Sequence, residues 1–129
     1  MTRVELALPW TRPQLNPNTR MHRMVRARIT AEIRRDTAWI AKAAKLTPTH
    51  PITVSLHYQP ARSGRRDPGN LCLDSKAMID GLVDAGLAPD DTFDFIQERM
   101  PKIHPVVAGE RGRMWLTLSW TTEVEGQSV

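Results

Sequence analysis

The chain has a single cysteine and no long apolar run. Cys72 can neither form an intramolecular disulfide nor complete a zinc site alone, and we expect it to be a buried structural thiol in a reducing compartment. No stretch approaches the roughly 18 consecutive apolar residues of a membrane-spanning helix. Arg3 and Glu5 interrupt the segment in which a signal peptide would need an apolar core. We therefore expect a cytoplasmic protein with no membrane partner.

Glycine and internal repeats are also scarce. Seven glycines exclude a collagen-like chain, and no repeated or low-complexity segment occurs. Hydrophobic residues make up 40% of the 129 residues, which is typical of a globular protein. This length predicts one domain over residues 1–129, with a flexible tail from about residue 123.

The two signs of charge are unevenly distributed along the chain. Residues 1–66 contain thirteen Arg or Lys and three acids, a net charge of +10, whereas residues 67–129 contain five and eleven, a net charge of −6. A basic segment favours a polyanionic partner, because Lys and Arg release counterions when they neutralise phosphates. Solvated surface charge is the alternative interpretation. An acidic segment is compatible with nucleic acid where its carboxylates hold a metal ion.

The first half of the chain predicts a strand, a helix and a second strand. Val4–Leu8 alternates apolar and other residues, and a proline-rich loop follows over residues 9–20. Residues 21–46 contain no proline or glycine and repeat apolar residues every three or four positions, which predicts a long amphipathic helix with basic outer faces. Residues 52–58 alternate strictly, as a half-buried strand does.

The second half predicts a second helix and two strands. The helix begins at Leu71 or Leu73 and ends at Ala85, after a polar loop over residues 60–69. A strand is expected over residues 93–103, interrupted by Pro101 in a way that suggests an edge strand or a strand end. Met114–Trp120 alternates as a last strand, which the turn at residues 109–112 could join in a hairpin. Trp39, Trp115 and Trp120 are interpreted as core or dimer-interface residues. Strands alternating with two helices predict an α+β fold, with the helices packed on one small mixed sheet.

Candidate metal-binding and catalytic side chains concentrate where the net charge changes sign. Six of them fall within 25 residues. Carboxylates gathered from a loop, a helix face and a strand end can hold a hard cation such as Mg²⁺. Turn chemistry and a surface ion pair between Lys76 and Asp80 are the alternatives. The six residues are Asp67, Asn70, Lys76, Asp80, Asp90 and Asp91.

The order of these residues resembles the signature of RusA-type Holliday junction resolvases. The similar segments are Arg65–Asn70, Lys76–Leu82, Ala85–Gly86 and Asp90–Asp91, together with Leu8–Trp10 and the proline-rich loop after it. The resemblance spans nearly the whole chain. It implies a homodimeric, Mg²⁺-dependent endonuclease, with Mn²⁺ as a possible substitute, that nicks opposing strands of four-way DNA junctions and is commonly encoded by phages or prophages.

The resemblance also implies roles for individual residues. Asp67 and Asp91 would bind the metal, and Lys76 would be an essential cation at the scissile phosphate. Asp80 and Asp90 are the candidates for completing the metal ligands, so the predicted catalytic set is Asp67, Lys76, Asp80 and Asp91. Contacts to DNA are expected from the basic loop and the start of the first helix, namely Arg20, Arg23, Arg62, Arg65, Arg66 and Asn70.

The chain departs from the family pattern at Gly69. The family has Asp-x-Asp-Asn in this loop, whereas the chain has Asp67-Pro68-Gly69-Asn70. Asp80, or alternatively Asp74, could compensate for the missing acid. If neither does, the chain would be a dimeric junction-binding protein without catalytic activity, and this alternative stays open.

Overall fold

The computed structural model describes residues 1–122, and the tail predicted from residue 123 lies outside the described residues. Within that range five strands and two helices form a mixed α+β fold, which confirms the predicted fold class. In chain order they are β1 (Thr2–Ala7), α1 (Arg23–Ala43), β2 (Ile52–Gln59), α2 (Cys72–Asp84), β3 (Ile96–Glu98), β4 (Lys102–Ile103) and β5 (Arg113–Trp120), with a 3₁₀ turn at Pro68–Leu71 before α2.

The sheet has the strand order β1-β5-β2-β3. β5 lies between β1 and β2 and is antiparallel to both, while β3 and β4 each pair in parallel with the other edge of β2. Parallel neighbours need a crossover connection, and α2 lies in the connection between β2 and β3. The hairpin expected from the turn at residues 109–112 is wrong, because β5 pairs with β1 and β2 rather than with β4. A local turn sequence does not choose between distant strand partners.

The core lies between the sheet and α2. Alternate residues of β2 and β5 point into it, as the strict alternation of both segments predicts. Met78 and Leu82 of α2 are completely buried against this face. The fully buried strand residues are Ile52, Val54, Leu56, Leu116 and Leu118.

α1 packs against α2, and Gly81 permits a very close approach. An ideal Cβ at position 81 would lie 2.6 Å from the Arg34 carbonyl oxygen and 2.9 Å from Thr37 Cβ, so only glycine fits. The buried stripe of α1 consists of Ile33, Thr37, Ala38 and Ala41. Trp39 is 72% exposed and is therefore not a core residue, and its alternative interpretation as a dimer-interface residue stays a prediction.

Two local features differ from the expectations. Residues 90–95 form bends and turns, so the strand expected from Phe93 begins only at Ile96, while Pro101 separates β3 from β4 as the predicted interruption indicates. Cys72 is exposed at the first position of α2 and is not a buried thiol.

Among residues 1–122, no helix combines the length and the apolar character needed to cross a membrane.

Candidate nucleic-acid interface

A groove lined by arginines opens beside the carboxyl end of β2. Its larger cavity, of about 500 Å³, has four guanidinium groups and the Tyr58 side chain in its walls but no carboxylate. A second cavity, of about 310 Å³, shares Arg12, Tyr58 and Arg66 with the first and extends to Asp67 and Asn70. We call the two cavities together the arginine groove. Its arginines are Arg12, Arg62, Arg65, Arg66 and Arg111.

Close backbone packing places Arg111 in the groove. The neighbouring Gly112 is buried against the proline-rich loop, where an ideal Cβ would lie 2.2 Å from the Thr11 carbonyl oxygen. In the same cavity, the Arg66 guanidinium carbon lies 5.9 Å from the centre of the Tyr58 ring, within the range of a cation–π interaction. Segments far apart in the chain therefore present their arginines to one cavity, where an anion would be attracted.

Asp67 caps the 3₁₀ turn of Pro68–Leu71 and lines the second cavity of the arginine groove. Its Oδ1 accepts a hydrogen bond from the Gly69 amide at 2.9 Å, and its carbonyl oxygen accepts one from the Asn70 amide at 3.0 Å. The Asn70 Oδ1 accepts a hydrogen bond from the Asn18 side chain at 3.0 Å. The structure thus places Asp67 and Asn70 together with Arg65 and Arg66, as the basic loop predicted.

Lys76 and Asp91 meet in a separate small cavity. The Lys76 Nζ lies 3.4 Å from Asp91 Oδ2, and both side chains are about half or more exposed, at 67% and 46%. The cavity of about 60 Å³ is also lined by Ile79, Ile96 and Glu98. The expected surface pair between Lys76 and Asp80 does not form, because the ammonium group turns to Asp91 instead. Two of the predicted catalytic residues are therefore in contact.

Sequence reasoning missed Glu98 at this cavity. Its Oε1 accepts a hydrogen bond from the Ser75 hydroxyl at 2.6 Å, which connects the end of β3 to α2 beside Lys76. The parallel pairing of β3 with β2 brings Glu98 to this position. A glutamate inside an irregular segment gives no sequence signal of such a role. Arg12, Arg111 and Tyr58 were missed for the same reason, since each reaches the groove through long-range packing.

Asp80 and Asp84 lie near α1. Arg34 makes a bidentate interaction with Asp84, in which its Nη2 donates to Asp84 Oδ1 at 2.8 Å. This hydrogen bonding holds the pKa of Asp84 below its ordinary value. The pKa of Arg34 is raised, first by the hydrogen bond and charge of Asp84 and to a smaller extent by the charge of Asp80. Asp80 is therefore close enough to Arg34 for their opposite charges to interact.

Asp90 is occupied by a turn. Its Oδ1 accepts hydrogen bonds from the Thr92 amide at 2.8 Å and the Thr92 hydroxyl at 2.6 Å. The hydroxyl bond and then the amide bond lower the pKa of Asp90. Its position matches turn chemistry, which was the alternative to metal binding.

Asp74 does not fit the role of a compensating acid. It is completely buried, and both of its oxygens accept hydrogen bonds from backbone amides of the proline-rich loop. Residues two positions apart on a helix do not share a face, so Asp74 and Lys76 point in different directions. This alternative is wrong for a structural reason: the carboxylate faces the interior.

The remaining predicted DNA contacts stand apart from the arginine groove. Arg20 and Arg23 are exposed near the start of α1 and line neither cavity of the groove. Between them, the His22 Nδ1 accepts a hydrogen bond from the Met24 amide at 3.1 Å and caps the helix. Arg62, Arg65, Arg66 and Asn70 do line the groove.

The described carboxylates do not form an all-protein cage for a cation. Within residues 1–122, no three His, Cys, Asp or Glu side chains come together as metal ligands. Mg²⁺ keeps several waters and commonly uses one or two carboxylates plus substrate phosphate oxygens. Asp91 and Glu98, which share the Lys76 cavity, offer such a pair. Asp67 lines the arginine groove instead, so the predicted four-carboxylate set is not gathered in one cavity.

No model of a known protein family matches this chain, and no curated protein matches it in sequence. The similarity to RusA-type resolvases therefore depends on the motif residues alone.

Proposed function

We propose that the protein is a Mg²⁺-dependent endodeoxyribonuclease of the RusA type that acts on branched DNA. The observation that carries the proposal is the arginine groove, whose second cavity reaches Asp67 and Asn70 just before the helix that bears Lys76. A duplex carries about one negative charge per 1.7 Å of its axis, so a groove with five arginines suits a phosphate backbone. The four-way junction is the expected substrate.

The chain's own residues supply most of what phosphodiester hydrolysis requires. The arginine groove would bind and orient the backbone, and Lys76 would stabilise the charge that develops on the non-bridging oxygens of the scissile phosphate. Asp91 orients the Lys76 ammonium group. Asp91 and Glu98 would hold Mg²⁺ or Mn²⁺, which supplies Lewis-acid activation of water and charge neutralisation when bound.

A second function, DNA binding without cleavage, is favoured by one specific arrangement. Asp67 and Asp91 line different cavities, and Gly69 provides no carboxylate between them. A protein with this arrangement would retain the arginine groove and lose the metal chemistry. The two functions predict the same affinity for junctions and differ only in cleavage.

A junction assay separates the two functions. The protein is incubated with a synthetic four-way junction, and with a linear duplex of the same sequence, in Mg²⁺, Mn²⁺ or EDTA. A nuclease gives paired nicks in opposing strands of the junction only with metal. Tight binding in all three buffers without product supports the binding protein. Equal affinity for junction and duplex would contradict selectivity for branched DNA.

Two variants test the site of cleavage. Loss of Lys76 in Lys76→Ala is expected to slow nicking about 100-fold, the usual effect of removing one charge-stabilising group, and to leave binding nearly unchanged. Lys102→Ala, a lysine on β4 that lines none of these cavities, is the matched control. Equal effects of both substitutions would place the reaction elsewhere.

We also propose that the protein acts as a homodimer in the cytoplasm. Two symmetric nicks need two identical sites, which a dimer with twofold symmetry provides. Sedimentation equilibrium of the free protein measures its mass directly, and a 14.6 kDa species at working concentration would contradict a stable dimer.

A further inference from the structure

Asp74 is a fully buried carboxylate that the proposed chemistry does not use. Its Oδ2 accepts a hydrogen bond from the Gln14 amide at 2.8 Å, and its Oδ1 accepts one from the Leu15 amide at 2.9 Å. Both oxygens of one side chain therefore hold two successive backbone amides of a distant segment. Such a pair of directional bonds fixes position and register, which an apolar contact alone would not do.

The segment held by Asp74 forms one wall of the arginine groove. Residues 9–20 contain no helix or strand, so the loop has no backbone ladder of its own. Arg12, Pro13, Leu15 and Asn16 line the second cavity, immediately around the two amides that Asp74 binds. We call the two hydrogen bonds from the Gln14 and Leu15 amides to Asp74 the clamp. The Gln14 side chain donates to the Arg12 carbonyl oxygen at 2.8 Å, which connects the clamp to the backbone of Arg12.

We propose that Asp74 is a positioning residue for DNA binding: it fixes the loop of residues 9–20 on α2 and thereby holds Arg12 in the lining of the arginine groove. The inference rests on the proposed DNA-binding function. Burying a carboxylate opposes folding unless hydrogen bonds compensate, so a loop that needed only adhesion would be served better by an apolar side chain. Leu15, at 3% exposure, already provides that adhesion.

The clamp itself is tested by amide hydrogen exchange without DNA. In the wild-type protein the Gln14 and Leu15 amides should exchange at least about tenfold more slowly than those of an unstructured loop, because opening must precede exchange. Asp74→Asn keeps one oxygen that can accept a hydrogen bond and replaces the other acceptor by an N–H donor, so it should remove this protection at one of the two amides at least. Asp84→Asn, which changes an exposed carboxylate on the same helix, should leave it intact. Fast exchange at both amides in the wild-type protein would overturn the proposal whether or not any variant folds.

The positioning role is tested by a double-mutant cycle of affinity for a four-way junction. Arg12→Ala should weaken binding several-fold in the wild-type protein but less than about twofold in the Asp74→Asn background, because Arg12 is already displaced there. Arg62→Ala, in a loop that Asp74 does not hold, should weaken binding equally in both backgrounds. An undiminished effect of Arg12→Ala in the Asp74→Asn background would overturn the proposal.

Two controls keep the outcomes distinct. If the wild-type protein binds no junction, the proposed function fails, while the exchange experiment still decides whether the clamp exists. If circular dichroism shows that Asp74→Asn is unfolded, Asp74→Glu replaces it in both experiments. That variant keeps the charge and moves the carboxylate by one methylene group, so normal protection together with normal coupling to Arg12 would contradict a positional requirement.

Discussion

Gly69 is the residue at which the chain departs from the resolvase pattern, and the structure shows that an acid would fit there. An ideal Cβ at position 69 would lie 3.4 Å from Asp67 Oδ1, an ordinary contact, and the backbone is not in the left-handed region that favours glycine. A carboxylate at this position would therefore stand beside that of Asp67. Two adjacent carboxylates attract a divalent cation more strongly than one.

We expect Gly69→Asp to increase Mg²⁺-dependent nicking of a four-way junction by at least about tenfold over the wild-type rate, because it would add a second carboxylate to Asp67 and so a metal site beside the arginine groove, apart from the pair Asp91 and Glu98. The measurement is the initial rate of nicking as a function of Mg²⁺ concentration. Gly69→Asn is the matched control, with the same size and no charge. An equal gain with Asn would show that the carboxylate is not responsible.

Gly81 illustrates how one residue sets the distance between two helices. Ordinarily, replacing a glycine inside a helix by alanine stabilises it by up to about 1 kcal/mol. At position 81 the added methyl group would meet the Arg34 carbonyl oxygen at 2.6 Å, and that atom belongs to the backbone of α1. We therefore expect Gly81→Ala to lower the free energy of unfolding by about 1–3 kcal/mol, as overpacking does. Urea denaturation measures the change, and a stabilised variant would contradict this packing.

At the scale of elements, the sequence predicts what depends on local periodicity. The buried stripe of α1 and the alternation of β2 and β5 follow from the period of their apolar residues, and each element was predicted to within a few residues of its observed ends. The partner of β5 was not predictable, because its hydrogen bonds go to strands more than 50 residues away. Tertiary pairing overrode the nearby turn.

The difference between local and long-range contacts also explains which parts of the candidate site the sequence predicts. Asp67, Arg65 and Asn70 come together because they are neighbours in one loop, and the motif alone predicts this. Glu98 joins Lys76 through the parallel pairing of β3 with β2, and Arg111 joins Arg12 through the packing of Gly112. Neither contact has a local signal in the sequence.

His57 of β2 and His104, the residue after β4, form a histidine pair beside Thr117 of β5 on the outer face of the sheet. The His57 Nδ1 lies 2.8 Å from the His104 Nε2, and the His57 Nε2 lies 2.9 Å from the Thr117 hydroxyl. Burial is the main cause that lowers the pKa of His57, followed by the charges of His104, Arg3 and Lys102 against a smaller opposing effect of Glu5. Burial, Lys102 and Arg113 lower the pKa of His104.

Because both pKa values are lower in the folded state, the unfolded chain binds more protons at slightly acidic pH. The free energy of unfolding should therefore fall as the pH falls below the ordinary histidine value of about 6.5, by at most about 1.4 kcal/mol per pH unit for each histidine. Urea denaturation at pH 7.5 and 5.5 measures the loss, and His57→Gln should reduce it. NMR titration of the rings gives an independent check: pKa values at or above about 6.5 would contradict the argument.

At the scale of the whole molecule, the uneven distribution of charge along the chain gives an uneven distribution of charge on the surface. Four arginines of the basic half line the arginine groove, and Arg111 of the acidic half joins them. Other basic residues are paired: Arg34 with Asp84, and Arg28 with Glu32. The arginine groove concentrates positive charge that no lining carboxylate of the larger cavity offsets.

This distribution predicts the salt dependence of DNA binding. Each phosphate contact contributes about 0.9 to the slope of log affinity against log salt concentration, so five groove arginines predict a slope of about −4 to −5 for one protomer. Arg111→Ala should reduce the slope by about 0.9, whereas Arg35→Ala on α1 should leave it unchanged because Arg35 lies beside Asp36 and outside the groove. Fluorescence anisotropy at several salt concentrations measures both slopes. Equal losses for the two variants would mean that DNA contacts the basic half of the chain as a whole and not the arginine groove.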